Sequence, residues 1–315
     1  MRQLLMKVVR LVLVIFFVTF FAFYLIKLLP GDPVTNFSGV GADQAKIEEI
    51  RTDLGLNRPI WEQYFDWLGD FLSGDLGKYY GIAGETPAEK VRADLPVSLQ
   101  LMAYSVIVSL AIAIPLGVLT AYRPNSAFDL GSAGGVFLAA SVPAFVVAYL
   151  LKQYLAIKWN LLPERGWEQA WEVGVWNHVK YAIMPVTCLA LGQIAIYQRL
   201  LRSDMIATLQ EDFITMAKAK GMRPRRILFR HALRPSSLTL LTVAGLSVGT
   251  LIGGSVIIER IFGIPGIGTD TVEAILAREY VALQSYIAIL GLLYVVVNFI
   301  VDFLYSVLDP RIRYA

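Results

Sequence analysis

The sequence predicts an all-α polytopic membrane protein with six transmembrane helices and both termini in the cytosol. Three observations carry that expectation. The 315-residue chain is 56% hydrophobic, with a mean hydropathy of +0.58, beyond the composition of ordinary soluble domains. Six apolar runs, at about 10–29, 98–121, 132–157, 181–200, 236–258 and 283–307, match the roughly 20 residues that a hydrocarbon core of about 30 Å requires. With six spans, the basic segments all fall on one side, which is the cytosolic side.

The N-terminus carries Arg2, Lys7 and Arg10 and no acid. The first apolar run is too long for the h-region of a signal peptide, and Pro30-Gly31-Asp32-Pro33 follows it in place of a small-residue cleavage site. It is expected to be a permanent helix. The first segment, 1–30, leads into an extracytoplasmic segment, 31–96, with six Lys/Arg against twelve Asp/Glu. There, Gln44 to Leu54 reads as an acidic amphipathic helix, and Asn57-Arg58-Pro59 starts another. Ile60, Trp61, Tyr64, Phe65, Trp67, Leu68, Phe71 and Leu72 recur at near-helical spacing. That aromatic stripe is expected at the membrane interface or as a cap on the bundle.

Residues 97–315 form the expected five-helix core. Pro115, Pro143 and Pro185 fall inside three of its spans and predict kinks, since each removes a backbone hydrogen bond. In the fifth span Gly245, Gly249 and Gly253 repeat every four residues and share one face, which lets helices approach closely. Polar groups inside spans are few. Gln193, Ser255, Asn298 and the intramembrane acid Asp302 are candidates for a solute pathway, together with Gly249 and Gly253. The single cysteine, Cys188, lies within a span and excludes an intrachain disulfide.

The segment 198–235 carries nine Lys/Arg against three acids, whereas 259–282 has two bases and four acids. From about Leu209 to Lys220 the chain predicts a short helix along the cytosolic surface. Gly221 breaks it, and Arg223-Pro224 opens a second basic helix ending at Pro235. The small Ala217 and Gly221, one turn apart, leave room for a partner's cleft. A basic loop could also bind lipid headgroups, but helix, glycine break and basic helix in that order favour protein docking. No Gly-x-x-x-x-Gly-Lys-Ser/Thr phosphate loop and no His-Glu-x-x-His zinc site occurs. His178 and His231 fall on opposite sides of the membrane. The chain is therefore expected to be no enzyme, to bind no cofactor or metal, and to be driven by a partner.

The segment Asp212-Phe-Ile-Thr-Met-Ala-Lys-Ala-Lys-Gly221, continuing to Arg230-His-Ala-Leu-Arg-Pro235, resembles the EAA-type loop of the integral membrane permease subunits of binding-protein-dependent ABC importers, in the dipeptide/oligopeptide/nickel branch. Leu29–Pro33, Leu54–Ile60, Gly74-Asp-Leu-Gly77, Gly253–Gly268, Asp302–Tyr305 and Leu308–Arg313 add to the resemblance. Thr215 and Met216 depart from the broad pattern, which has Glu and Ala there. The resemblance implies a type I importer fold with a cytosolic coupling helix in an EAA-type coupling loop at about 204–235. It implies a second homologous permease, two ATPase subunits that bind ATP and Mg, an extracytoplasmic binding protein, and residence among lipid in a bacterial inner membrane. Nucleic acid is not an implied partner. The implied cargo is a di- or oligopeptide; nickel, glutathione or another small solute is the alternative, and a stand-alone secondary transporter or channel a remote one. By the same resemblance Asp212, Thr215, Ala217, Lys218, Ala219, Lys220, Gly221, Arg223 and Arg226 bear on ATPase docking.

Overall fold

The computed structural model describes residues 2–28, 48, 51–52, 55–79 and 85–308. Its helices are α1 (Arg2–Lys27), α2 (Ile60–Ser73), α3 (Pro87–Tyr122), α4 (Ala127–Ser141), α5 (Ala144–Lys158), α6 (Ala170–Val173), α7 (Val175–Thr208), α8 (Asp212–Ala219), α9 (Pro224–Phe262), α10 (Ile267–Ala277) and α11 (Tyr280–Leu308). No strand occurs among the described residues. Leu29–Pro33, most of the expected helix Gln44–Leu54 and the tail from Asp309 lie outside them.

Four helices, α3, α7, α9 and α11, are long and apolar enough to cross a membrane, and the α4–α5 pair makes a fifth if counted as one bent span. The described apolar part of α1, Leu11–Lys27, is shorter. At 1.5 Å per residue, the 36 residues of α3 reach about 54 Å, well beyond the apolar layer. Its polar excess is N-terminal: Glu89, Lys90, Arg92 and Asp94 all precede Pro96.

The third apolar run is not one straight helix. α4 and α5 meet at 92°. Pro143 disfavours helical backbone at the residue before it, and Val142 is extended (φ −91°, ψ 125°). Pro143 then starts α5 with no N–H of its own to satisfy. Pro115 and Pro185 remain inside continuous helices, α3 and α7, so among the three expected kink sites only Pro143 divides a helix. Further along α5 a π turn, Lys152–Lys158, carries the buried Lys152. Its Nζ donates to the Ile261 carbonyl (3.1 Å) and pairs with Glu164 (3.3 Å).

A second correction concerns Pro235. The basic helix does not end there; it runs on as the first turns of α9 to Phe262. Pro224 occupies the first helical turn, where its missing N–H costs nothing. A π turn, Ile227–Ala232, precedes Pro235. Its wider ring relieves the clash between a proline and the carbonyl four residues back.

The chain forms two compact units, residues 1–98 with 265–296 and residues 99–264 with 297–315. In the first, Tyr64 of α2 is buried among Phe16, Phe20 and Phe23 of α1, with its hydroxyl 3.0 Å from Thr19 Oγ1. Trp61, Phe65 and Leu72 form a second apolar stripe on α2 that stays exposed. Ile26, Ile267, Ala274, Ala282, Leu283 and Tyr286 form the core of this unit. In the second unit one core joins α3, α7, α8 and α9 through Val118, Tyr197, Leu201, Met205, Ile214 and Leu228. Gly245 lies so close to Val301 that any Cβ there would overlap that side chain. The close approach expected of the glycine face thus occurs at its first position.

Candidate functional site

α8 is an eight-residue amphipathic helix. Its inner side is Ile214 and Ala217, three residues apart and therefore on one face. Both are buried in the core that also holds Met205 of α7 and Ile227 and Leu228 of α9. Ser236 Oγ donates to Thr208 Oγ1 at 2.8 Å, a further tie between the ends of α9 and α7. The helix closes on a Schellman motif. Gly221 takes φ +71°, its N–H donates to the Lys218 carbonyl (2.9 Å), and the Met222 N–H reaches the Ala217 carbonyl (3.2 Å).

Of the docking residues expected from sequence, Asp212, Thr215, Lys218, Ala219, Lys220, Gly221, Arg223 and Arg226 are exposed. Ala217 is not. Its small side chain fits the α8 helix against the core and offers no cleft to a partner. Gly221 likewise serves the backbone: only a residue without Cβ enters the left-handed region freely. The outer face instead carries Phe213 and Met216, 45% and 58% exposed, a feature the sequence reading passed over. Its signal was legible: Phe213, Met216 and Lys220 follow i, i+3, i+7, a stripe separate from Ile214 and Ala217.

A groove of about 750 Å³ opens between α4 and α7, lined by Phe137, Ser141, Gln193, Gln198, Arg199 and Arg202, among others. Of the expected pathway residues only Gln193 belongs to it, with its Oε1 buried and without a hydrogen-bond partner. Ser255 is buried and donates to the Ile252 carbonyl (3.0 Å). Gly249 is buried, Gly253 faces open space, and Asn298 is half-buried on α11. The side chain of Asp302 lies outside the described residues. At one end of the groove Arg202 makes a two-pronged ion pair with the buried Asp129, both N–O distances being 2.6 Å. The Asn125 N–H also donates to Asp129 (2.8 Å). Sequence spacing hides this pair, because its members stand 73 residues apart.

Gly245-Leu-Ser-Val-Gly249 has the letters of a hydrolase nucleophile elbow, but that chemistry needs a sharp strand-to-helix turn. Ser247 lies mid-helix in α9, and its hydroxyl donates to the Val243 carbonyl at 2.6 Å. The motif carries no such site.

The family described as "Binding-protein-dependent transport system inner membrane component" matches residues 113–314, and the N-terminal domain of such membrane components matches residues 1–88. The oligopeptide transport system permease protein AppB of Bacillus subtilis (strain 168) is 37% identical over 298 residues, 94% of each chain. The oligopeptide transport system permease protein OppB of Salmonella typhimurium is 36% identical over 293 residues, 93% of each. Among solved structures, a chain of the inward-facing MetNI methionine ABC transporter superposes with a TM-score of 0.57, over 70% of this chain and 96% of that one, at 16% identity. That likeness shows a shared fold. With matches at this level along nearly its whole length, the chain belongs to the binding-protein-dependent transport system inner membrane components, the permease subunits of ABC importers.

Proposed function

We propose that this chain is one of two permease subunits of a peptide importer in a bacterial inner membrane, with six spans and both termini in the cytosol. A second, homologous permease completes the pathway. Two ATPase subunits bind ATP and Mg, and an extracytoplasmic binding protein delivers the peptide. The permease itself performs no chemistry. The peptide cargo is carried over from the oligopeptide permeases that the chain resembles.

The observation that carries the reading is the mounting of α8. Ile214 and Ala217 set it into the same core as the ends of α7 and α9, while Phe213, Met216 and Lys220 remain on its free side. ATP closes the ATPase pair, and each α8 moves with the subunit it docks. Because α8 shares a core with two long helices, its displacement becomes theirs, and the bundle changes from inward- to outward-facing. Hydrolysis reverses the motion and releases the peptide inside. The groove lined by Gln193 is the part of the path this chain contributes.

The test is purification of the tagged chain in mild detergent, with mass spectrometry and an ATPase assay. Recovery of a second permease and ATPase subunits is expected, with hydrolysis rising when a peptide-loaded binding protein is added. A chain that purifies alone and moves solute in liposomes without ATP would overturn the reading.

A further inference from the structure

The first compact unit contains a carboxyl pair that the transport reading does not use. Lys90 and Asp94 lie four residues apart on the N-terminal extension of α3 and so share one face. That face meets Asp270 in the first turn of α10. Asp270 is 3% exposed, and its Oδ1 accepts from Lys90 Nζ at 3.1 Å. Its Oδ2 is buried and receives no N–H or hydroxyl donor. The other side chain bonded to Asp270 is the Asp94 carboxyl.

Two carboxylates have only acceptors and cannot bond to each other; one proton must sit between them. The surroundings decide which oxygen carries it. Asp270 has the Lys90 ammonium against it and sits in the first turn of a helix, where negative charge is favoured. Asp94 is half-buried with a way to water. Burial raises both carboxyls, and the Lys90 ammonium holds Asp270 down against it, so the shared proton sits mainly on Asp94, as an O–H donor to the Asp270 carboxylate. Among the described residues, the ionisable groups near the pair include Glu85 before α3, Glu273 of α10 (3.7 Å from Lys90 Nζ), Glu279 before α11, and the hydrogen-bonded hydroxyls of Tyr79 and Tyr286. Charging Asp94 places a second anion directly against the Asp270 carboxylate.

We propose that Asp94 and Asp270 form a proton-binding site, in which one shared proton clasps the N-terminal extension of α3 to α10. Loss of the proton to solvent leaves two carboxylates facing each other and loosens α10. On the topology proposed above, this end of α3 faces the extracytoplasmic compartment, and that placement rests on that reading. The proton site does not.

The experiment is an infrared pH titration of the full-length protein in lipid nanodiscs, following the carbonyl stretch of a protonated carboxylic acid. Burial, the Asp270 charge and the bond to it push Asp94 up to about 7. A protonated-acid band should therefore persist at mildly acidic pH, where an ordinary aspartate is ionised, and fall to half near pH 7. Asp94→Asn should remove the band, because its amide donates to Asp270 at every pH. Deuterium uptake over 267–277, corrected for intrinsic exchange, should rise above neutral pH in the wild type and stay flat in the variant. A wild type with no protonated-acid band at mildly acidic pH overturns the proposal, as does a band unchanged by Asp94→Asn. Wild-type exchange that does not respond to pH removes the clasp. These readouts need neither substrate nor ATPase, so a failed importer assignment would leave them intact.

Discussion

Gly221 holds φ +71° with open space beside it, so a substitution there is strained by backbone geometry and not by a clash. Gly221→Ala should cost about 1–2 kcal/mol of local stability. Asn, which tolerates the left-handed region, should cost less. Binding-protein-stimulated ATP hydrolysis by the assembled complex should fall in the order Gly, Asn, Ala; equal activity in all three would show that the α8 closure does not matter. Asp129 and Arg202 make a different residue-level case. The aspartate side chain is 2% exposed and the arginine 28%, so removing the cation strands a buried carboxylate. Arg202→Met should destabilise by about 2–3 kcal/mol, toward the low end for a buried pair because Arg202 keeps some water. The thermal unfolding midpoint in detergent checks this, and an unshifted midpoint would sink it.

At the scale of the element, α8 divides its labour between two faces. Replacing Phe213 and Met216 together by serine removes apolar area only from the exposed side. The spans should stay folded while co-purification of ATPase subunits drops severalfold, as expected when central apolar anchors are lost. Ala217→Leu is the complementary change. It overfills the core and should lower stability by about 1–3 kcal/mol before it alters docking, which separates the two faces experimentally. The α4–α5 elbow shows how local backbone sets an element: a proline within an apolar run read as a kink, but with an extended residue before it, Val142, the chain makes a 92° corner. Pro235 read as a stop for the opposite reason. A π turn three residues earlier absorbed it, and no composition signal announces a π turn.

At the scale of the whole molecule, the apolar runs made the helical fold legible, because their lengths answer to the bilayer. Runs at 98–121, 181–200, 236–258 and 283–307 correspond to α3, α7, α9 and α11. The proposed docking region was legible as a segment, from its charge and the Gly221 break, but not as a surface. Which residues of α8 turn inward depends on a core assembled from four helices, and the sequence places those far apart. Ala217, read as room for a partner, belongs to that core; Phe213 and Met216, which the sequence reading passed over as a surface, face out. The Asp94–Asp270 pair gives the molecule a pH dependence of definite sign. Its folded-state pKa is raised, so its contribution is full below about 4, the unfolded carboxylate range, declines as pH rises through about 7, and is flat above. Unfolding midpoints across that window should fall with rising pH in the wild type and far less in Asp94→Asn.

The seating of Ile214 and Ala217 also fixes where the second unit can deform. A bracket riveted at two points to a pair of beams has almost no play of its own, so on the docking reading load on α8 passes to α7 and α9. On the importer reading, bending is then expected at the corner at Val142–Pro143, where the helix is broken and a groove lies on one flank.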